Sequence, residues 1–202
     1  MGASRLSIVF LNHFQFNGIS TSSKYGARGL ESVYDHSYFD SALREAKNLP
    51  GIFELVKLAV SRYTGRERSG LMLGLADLGG GPQGLVGAFY PLATNIIVMN
   101  TLPLKRIRET EPEFYNPYVF YILLHEYLHT LGVVDESETR KKVLEISSAT
   151  FGDEHVVTQL AKDFSRFMPK LVYPDVGWHP LEGYTLELVS GFDRSSYDHY
   201  IT

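Results

Sequence analysis

The sequence predicts an α/β fold of the α+β kind: a small mixed sheet with an N-terminal helix, a central helix and C-terminal helices. Three observations predict it. Apolar runs of strand length fall at 6–11, 71–78, 85–92 and 95–100. Apolar residues recur at helical spacing within 37–64. From 116 onward, helix start and stop signals dominate. At 202 residues the chain has room for one substantial domain and little for two. It reads as a single domain over 1–202, with the sheet and central helix in 1–132 and a helical, then irregular, part in 133–202.

Along the chain, Leu6-Ser7-Ile8-Val9-Phe10-Leu11 suits a strand buried on both faces, and the polar stretch 17–29 reads as loop. In 37–64 the helical pattern breaks at Pro50-Gly51. Leu43 and Ala46 mark one face before the break; Ile52, Leu55, Val56, Leu58, Ala59 and Tyr63 mark one after it. The strands at 71–78 and 85–92 flank Gly79-Gly80-Gly81-Pro82-Gln83-Gly84, which reads as a glycine-rich hairpin loop. Gly79-x-Gly81-x-x-Gly84 matches the dinucleotide fingerprint in form only, because a strand follows and Pro82 removes a donor. Lys105-Arg106-Ile107-Arg108 is balanced by Glu109, Glu111 and Glu113 and reads as a solvated loop. Asn116-Pro117 starts a helix that carries 118–131 to a stop at Gly132. Asp135 with Glu138 forms a capping box for the next helix, and Glu136–Arg140 and Glu138–Lys142 read as supporting pairs. After Gly152-Asp153 a last helix aligns Val157, Leu160, Ala161, Phe164 and Met168 and ends near Pro169. The remainder, 170–202, reads as an ordered, irregular cover.

Composition narrows the chemistry. With 44% hydrophobic and 21% charged residues the chain is an ordinary globular one. It has no cysteine, which excludes disulfides, thiolate metal sites and cysteine nucleophiles and suits a reducing, cytoplasmic location. Net charge is −4 and no basic block stands out, so neither nucleic acid nor a membrane is expected as a partner. The longest apolar runs are too short to span a bilayer, and 1–6 has no signal-peptide character.

One motif rises above this background: His125-Glu126-Tyr127-Leu128-His129. A four-residue step is just over one helical turn, so both imidazoles project from one helix face and can close on one tetrahedral Zn²⁺. Glu126 adjoins the first histidine and can reach a zinc-bound water without being a ligand. With 7 His and 14 Glu in the chain, about 0.02 such matches arise by chance. The structural alternative is a pair of surface histidines on an amphipathic helix. His13, His36 and His199 have no partner at ligand spacing, and Asp175 and His179 are separated by a turn-like Gly177-Trp178.

The segment His125-Glu126-x-x-His129-Thr130-Leu131-Gly132 resembles the zincin superfamily of zinc metalloproteases, in a small archaeal or bacterial form. The resemblance spans roughly 70–135 in layout and implies a zincin-like fold, Zn²⁺ as cofactor and peptidase activity. Extended with Gly132 and Asp135, it matches the acidic variant of the metzincin pattern H-E-x-x-H-x-x-G-x-x-H/D. Three kinds of third ligand stay open. Asp135 follows from that pattern but also explains itself as a helix cap. A gluzincin-like glutamate would be Glu138, Glu145 or Glu154. His155, in the first turn of a helix whose dipole favours neutral imidazole, is the leading choice. Met168, the only downstream methionine, reads as core rather than as a turn beneath the metal.

The expected function is therefore a zinc-dependent metallopeptidase, a hydrolase cutting peptide bonds through a zinc-bound water activated by Glu126. Its partner would be a peptide or unfolded protein, added as a strand to a sheet edge at 85–92. Tyr173, His179 and Tyr184 are candidate oxyanion donors. The rival reading is a non-catalytic, metal-stabilised interaction module that keeps the same helix.

Overall fold

Five strands and seven helices follow one another in a computed structural model that describes residues 6–10, 35–81, 84–174 and 185–193. They are β1 (Leu6–Phe10), α1 (His36–Glu45), α2 (Leu49–Thr64), β2 (Met72–Ala76), β3 (Val86–Pro91), β4 (Ile96–Asn100) and α3 (Thr101–Thr110). Then come α4 (Tyr115–Thr130), α5 (Glu136–Phe151), α6 (Val156–Lys162), α7 (Met168–Leu171) and β5 (Glu187–Leu188). The fold is α+β, as expected. Among the described residues, no helix is long and apolar enough to cross a membrane.

The sheet is mixed, in the order β1-β3-β4-β2-β5. β2 and β4 run parallel, with Met72 opposite Ile96; β3 lies antiparallel to β4 and to β1. Two expectations are corrected here. The glycine-rich segment does not join neighbouring strands, because β4 is inserted between β2 and β3. Asn100 at the end of β4 makes the splice. Its buried amide donates to Gly79 O (2.7 Å) and Val86 O (2.8 Å), and its Oδ1 accepts from Leu78 N (3.1 Å) and Leu102 N (3.0 Å). Nor is β3 an open edge for substrate, since β1 pairs along it from Leu6 opposite Pro91 to Phe10 opposite Val86.

α4 is the centre of the helical layer. Every residue from Tyr118 to Thr130 is buried, and a helix without a polar face belongs in a core. α1, α2, α5 and α6 pack round it, and β3 crosses it closely. A Cβ on Gly87 would sit 2.8 Å from Ile122 Cδ1 and 3.2 Å from the Tyr118 hydroxyl, so glycine lets β3 lie close against α4 without displacing those side chains. α4 starts earlier than expected, after a 3₁₀ turn at Pro112–Phe114. Asn116 is not its cap: the Asn116 amide donates to Leu43 O (2.7 Å) and Ala46 O (3.0 Å), satisfying carbonyls at the end of α1.

Other boundaries shift for similar local reasons. Pro50-Gly51 lies inside the first turn of α2, where proline is tolerated; Asn48 caps that helix by accepting from Gly51 N at 2.9 Å. Lys105–Arg108 is helical rather than loop, because Leu104 and Ile107 are buried beneath it. The last predicted helix breaks at Asp163, whose carboxylate accepts from Ser165 N and starts a 3₁₀ turn before α7. Met168 packs against the core, as read. The C-terminal segment closes the sheet. β5 pairs with β2, Phe192 stacks on Phe53 at 4.2 Å, and Asp193 accepts from Lys57 Nζ (2.7 Å) and Leu71 N (3.1 Å).

Candidate metal centre

The end of α4 is shaped by a glycine. Gly132 has φ +91°, and its N–H donates to His129 O while Val133 N donates to Leu128 O, which is the Schellman arrangement. Val133 and Leu128 are both buried, supplying the apolar contact that goes with it. The turn has two effects. It brings Val133 O within 2.7 Å of His129 Nδ1, and it reverses the chain so that α5 runs back along α4. Asp135 starts α5 by accepting from Glu138 N at 2.8 Å. Glu136, the first residue of α5, then faces the two histidines.

His125 and His129 are each 1% exposed, so they are not a surface pair. Their Nε2 atoms are 3.0 Å apart. Glu136 Oε2 is 3.3 Å from His125 Nε2, and Glu136 Oε1 is 3.2 Å from His129 Nε2. His129 Nδ1–H donates to Val133 O, which leaves Nε2 with its lone pair facing the other two groups. Converging lone pairs repel unless a proton or a metal cation lies among them. A tetrahedral zinc with bonds of about 2.0–2.2 Å spaces its ligand atoms about 3.3 Å apart. Two imidazoles and a carboxylate at these separations fit such an ion.

Burial shapes the charges. It holds His125 below the usual imidazole range, with Glu136 pulling the other way and His129 and Arg140 adding to the depression. Burial would raise Glu136, but the two imidazoles that face it outweigh that and hold its carboxyl well below the usual range. Glu126 is fully buried, and neither carboxylate oxygen has a hydrogen-bond partner at normal distance. Burial and the nearby Glu136 therefore push it well above the usual range, which the Tyr90 backbone amide offsets only in part. An unpartnered buried carboxyl of this kind marks a functional site more often than a structural one.

Set against family models, curated proteins and solved structures, the chain matches none. The site is therefore read from its own geometry.

That geometry unites His125, Glu126 and His129, and it sets Glu136, not His155, beside the two histidines. His155 is elsewhere: it caps α6, with Nδ1 accepting from Val157 N, its ring stacked on Phe151, and Nε2 3.3 Å from Asp40. Asp135 is committed to its cap. Glu138 pairs with Lys142, Glu145 accepts from Tyr63 and pairs with Lys141, and Glu154 is exposed. Tyr173 donates to Glu109 on α3, and His36 meets Ala149 O. His13, Asp175, His179, Tyr184 and His199 lie outside the described residues.

The residue that the sequence reading missed is Glu136. Its four-residue spacing to Arg140 reads as a supporting pair, but its carboxylate turns inward to the two histidines and no Glu136–Arg140 pair forms among the described residues. The available signal was its place: the first helical residue after the Gly132 turn and the Asp135 cap, where a short return hairpin delivers its side chain to the end of α4.

The helix carrying the motif is also anchored at its C-terminus. Arg68 Nη1 donates to Thr130 O and to Tyr90 Oη, Arg68 Nη2 donates to Thr94 O, and Arg66 donates to Leu131 O. Cations at the last carbonyls satisfy them and suit the helix dipole. Through Arg68, α4 is fixed to β3, the strand alongside the site.

Proposed function

We propose that the protein is a zinc-dependent peptidase of the zincin kind, acting on peptides or unfolded chains, with His125, His129 and Glu136 holding the ion. The carrying observation is the convergence of these three groups beside an unpartnered, buried Glu126. A purely structural zinc site closes with a fourth protein ligand and has no use for a free acid there. The cysteine-free chain suits a reducing compartment, and the cytoplasm is the proposed location.

Zinc, when bound, supplies Lewis-acid polarisation of the substrate carbonyl and lowers the pKa of water. The chain supplies the rest. Val133 O fixes the His129 tautomer and ring orientation. Glu126 takes a proton from the attacking water at a carboxylate oxygen and returns it to the departing amine nitrogen. Burial suits Glu126 to this role, because it strengthens the carboxylate's hold on the proton it must accept.

The test is Glu126→Gln, which keeps the shape of the side chain and removes the base. Zinc content should be unchanged while cleavage of an unstructured protein falls about 10²–10⁴-fold. Equal cleavage by both proteins would eliminate the assigned role of Glu126. A wild type that binds zinc and cleaves nothing would favour the interaction-module reading.

A further inference from the structure

α4 and α5 form an antiparallel helical hairpin. Moving one turn along α5 from Glu136 reaches Arg140, and moving one turn back along α4 from His125 reaches Tyr121. Arg140 is half-buried and makes no hydrogen bond or ion pair among the described residues. Its natural helical partner, Glu136, is turned away to the histidines. By contrast, Arg44 is engaged with Asp40, Arg68 with three oxygens, and Arg108 with Tyr115. Yet the Arg140 charge is close enough to act on both His125 and Tyr121. Tyr121 is buried, its phenol makes no hydrogen bond among the described residues, and burial keeps it protonated and able to donate.

The charges point the same way. A half-buried guanidinium with no bonded anion among the described residues, one turn along α5 from Glu136, is a positive charge that an anionic ligand relieves. A guanidinium can bind a carboxylate through two parallel hydrogen bonds, and a neighbouring phenol can add a third.

We propose that Arg140, assisted by the Tyr121 hydroxyl, binds a carboxylate of the substrate close to the bond that is cut. The carboxylate is either the chain terminus or an acidic side chain. The choice of peptides as ligands rests on the peptidase reading; the carboxylate-binding role of Arg140 is measured separately from turnover.

Calorimetry with full-length protein, zinc-loaded and metal-free, can use three probes: N-acetyl-trialanine as the free acid, the same peptide as its amide, and N-acetyl-Ala-Glu-Ala-amide. At least one carboxylate peptide should bind about 10- to 100-fold more tightly than the neutral amide, the range expected of a charge-assisted pair. Arg140→Gln should remove that preference in a protein that still binds zinc, while Arg140→Lys should restore part of it. Preference for the free acid alone identifies the terminus, and preference for the glutamyl peptide alone identifies a side chain. Equal binding of all three probes by the wild type, or a preference that survives in Arg140→Gln, would overturn the proposal. Carboxylate preference without any cleavage would sink the peptidase reading and leave the role of Arg140 standing.

Discussion

Two regions of this protein set histidine beside carboxylate, and they do opposite things with it. At the end of α4, His129 gives its Nδ1–H to a backbone carbonyl, so that Nε2 is free to meet His125 and Glu136. At the start of α6, His155 spends Nδ1 as a cap acceptor, stacks its ring on Phe151 and leaves Nε2 to one carboxylate, Asp40. Burial depresses both His125 and His155. The difference is convergence. Three candidate ligand groups converge in the first region, whereas the second has a single pair. A histidine's value as a ligand depends on what its other nitrogen does and on how many groups share its direction.

The largest expected effect tests that contrast directly. Glu136→Gln should weaken zinc binding by more than about 100-fold, beyond what loss of an outer-shell partner costs, while His155→Ala should change it by less than about 2-fold. Competition with a chromogenic chelator measures both, and the reverse ranking would exchange the roles of the two regions.

A second contrast concerns pH. In metal-free protein the folded pKa of Glu126 lies above its unfolded value, so the stability linked to its proton is complete below about 4.5 and is lost as pH rises through the raised pKa. Glu126→Gln cannot ionise. Between pH 4.5 and 8 the wild type should therefore lose stability relative to the variant, in the direction set by the raised pKa. Urea unfolding across that range measures it; parallel curves would show that the buried carboxyl ionises freely.

The smallest effect belongs to the cap. His155→Ala should cost about 0.5–2 kcal/mol of stability through the loss of the Val157 N–H bond and the stacking on Phe151, with zinc affinity unaltered. Thermal melts with and without zinc would show the same shift in both conditions.

These regions also show what could be read from the sequence. The spacing of His125 and His129 translates directly into one helix face, and Asp135 with Glu138 into a cap, because both depend on neighbours within one turn. Glu136 was obscured because its four-residue spacing to Arg140 mimics a surface pair, and only the Gly132 turn decides where its side chain goes. The sheet order was hidden for a different reason. Inserting β4 between β2 and β3 is a non-local choice, secured by Asn100 bonding to residues 14 to 22 positions away. The helix at Lys105–Arg108 was obscured by its charges, although Leu104 and Ile107 already supplied the buried face.

Lys57 and Asp193 are each 3% exposed and stand 136 positions apart. A nascent chain long enough to contain all of α4, and so both histidines, still lacks that aspartate. Its lysine keeps the partly exposed Glu54 at 3.0 Å but lacks the buried aspartate, and removing one member of a buried ion pair costs about 3–5 kcal/mol. The order of synthesis therefore delivers the buried Lys57–Asp193 anchor of α2 only after His125, His129 and Glu136 have all been made.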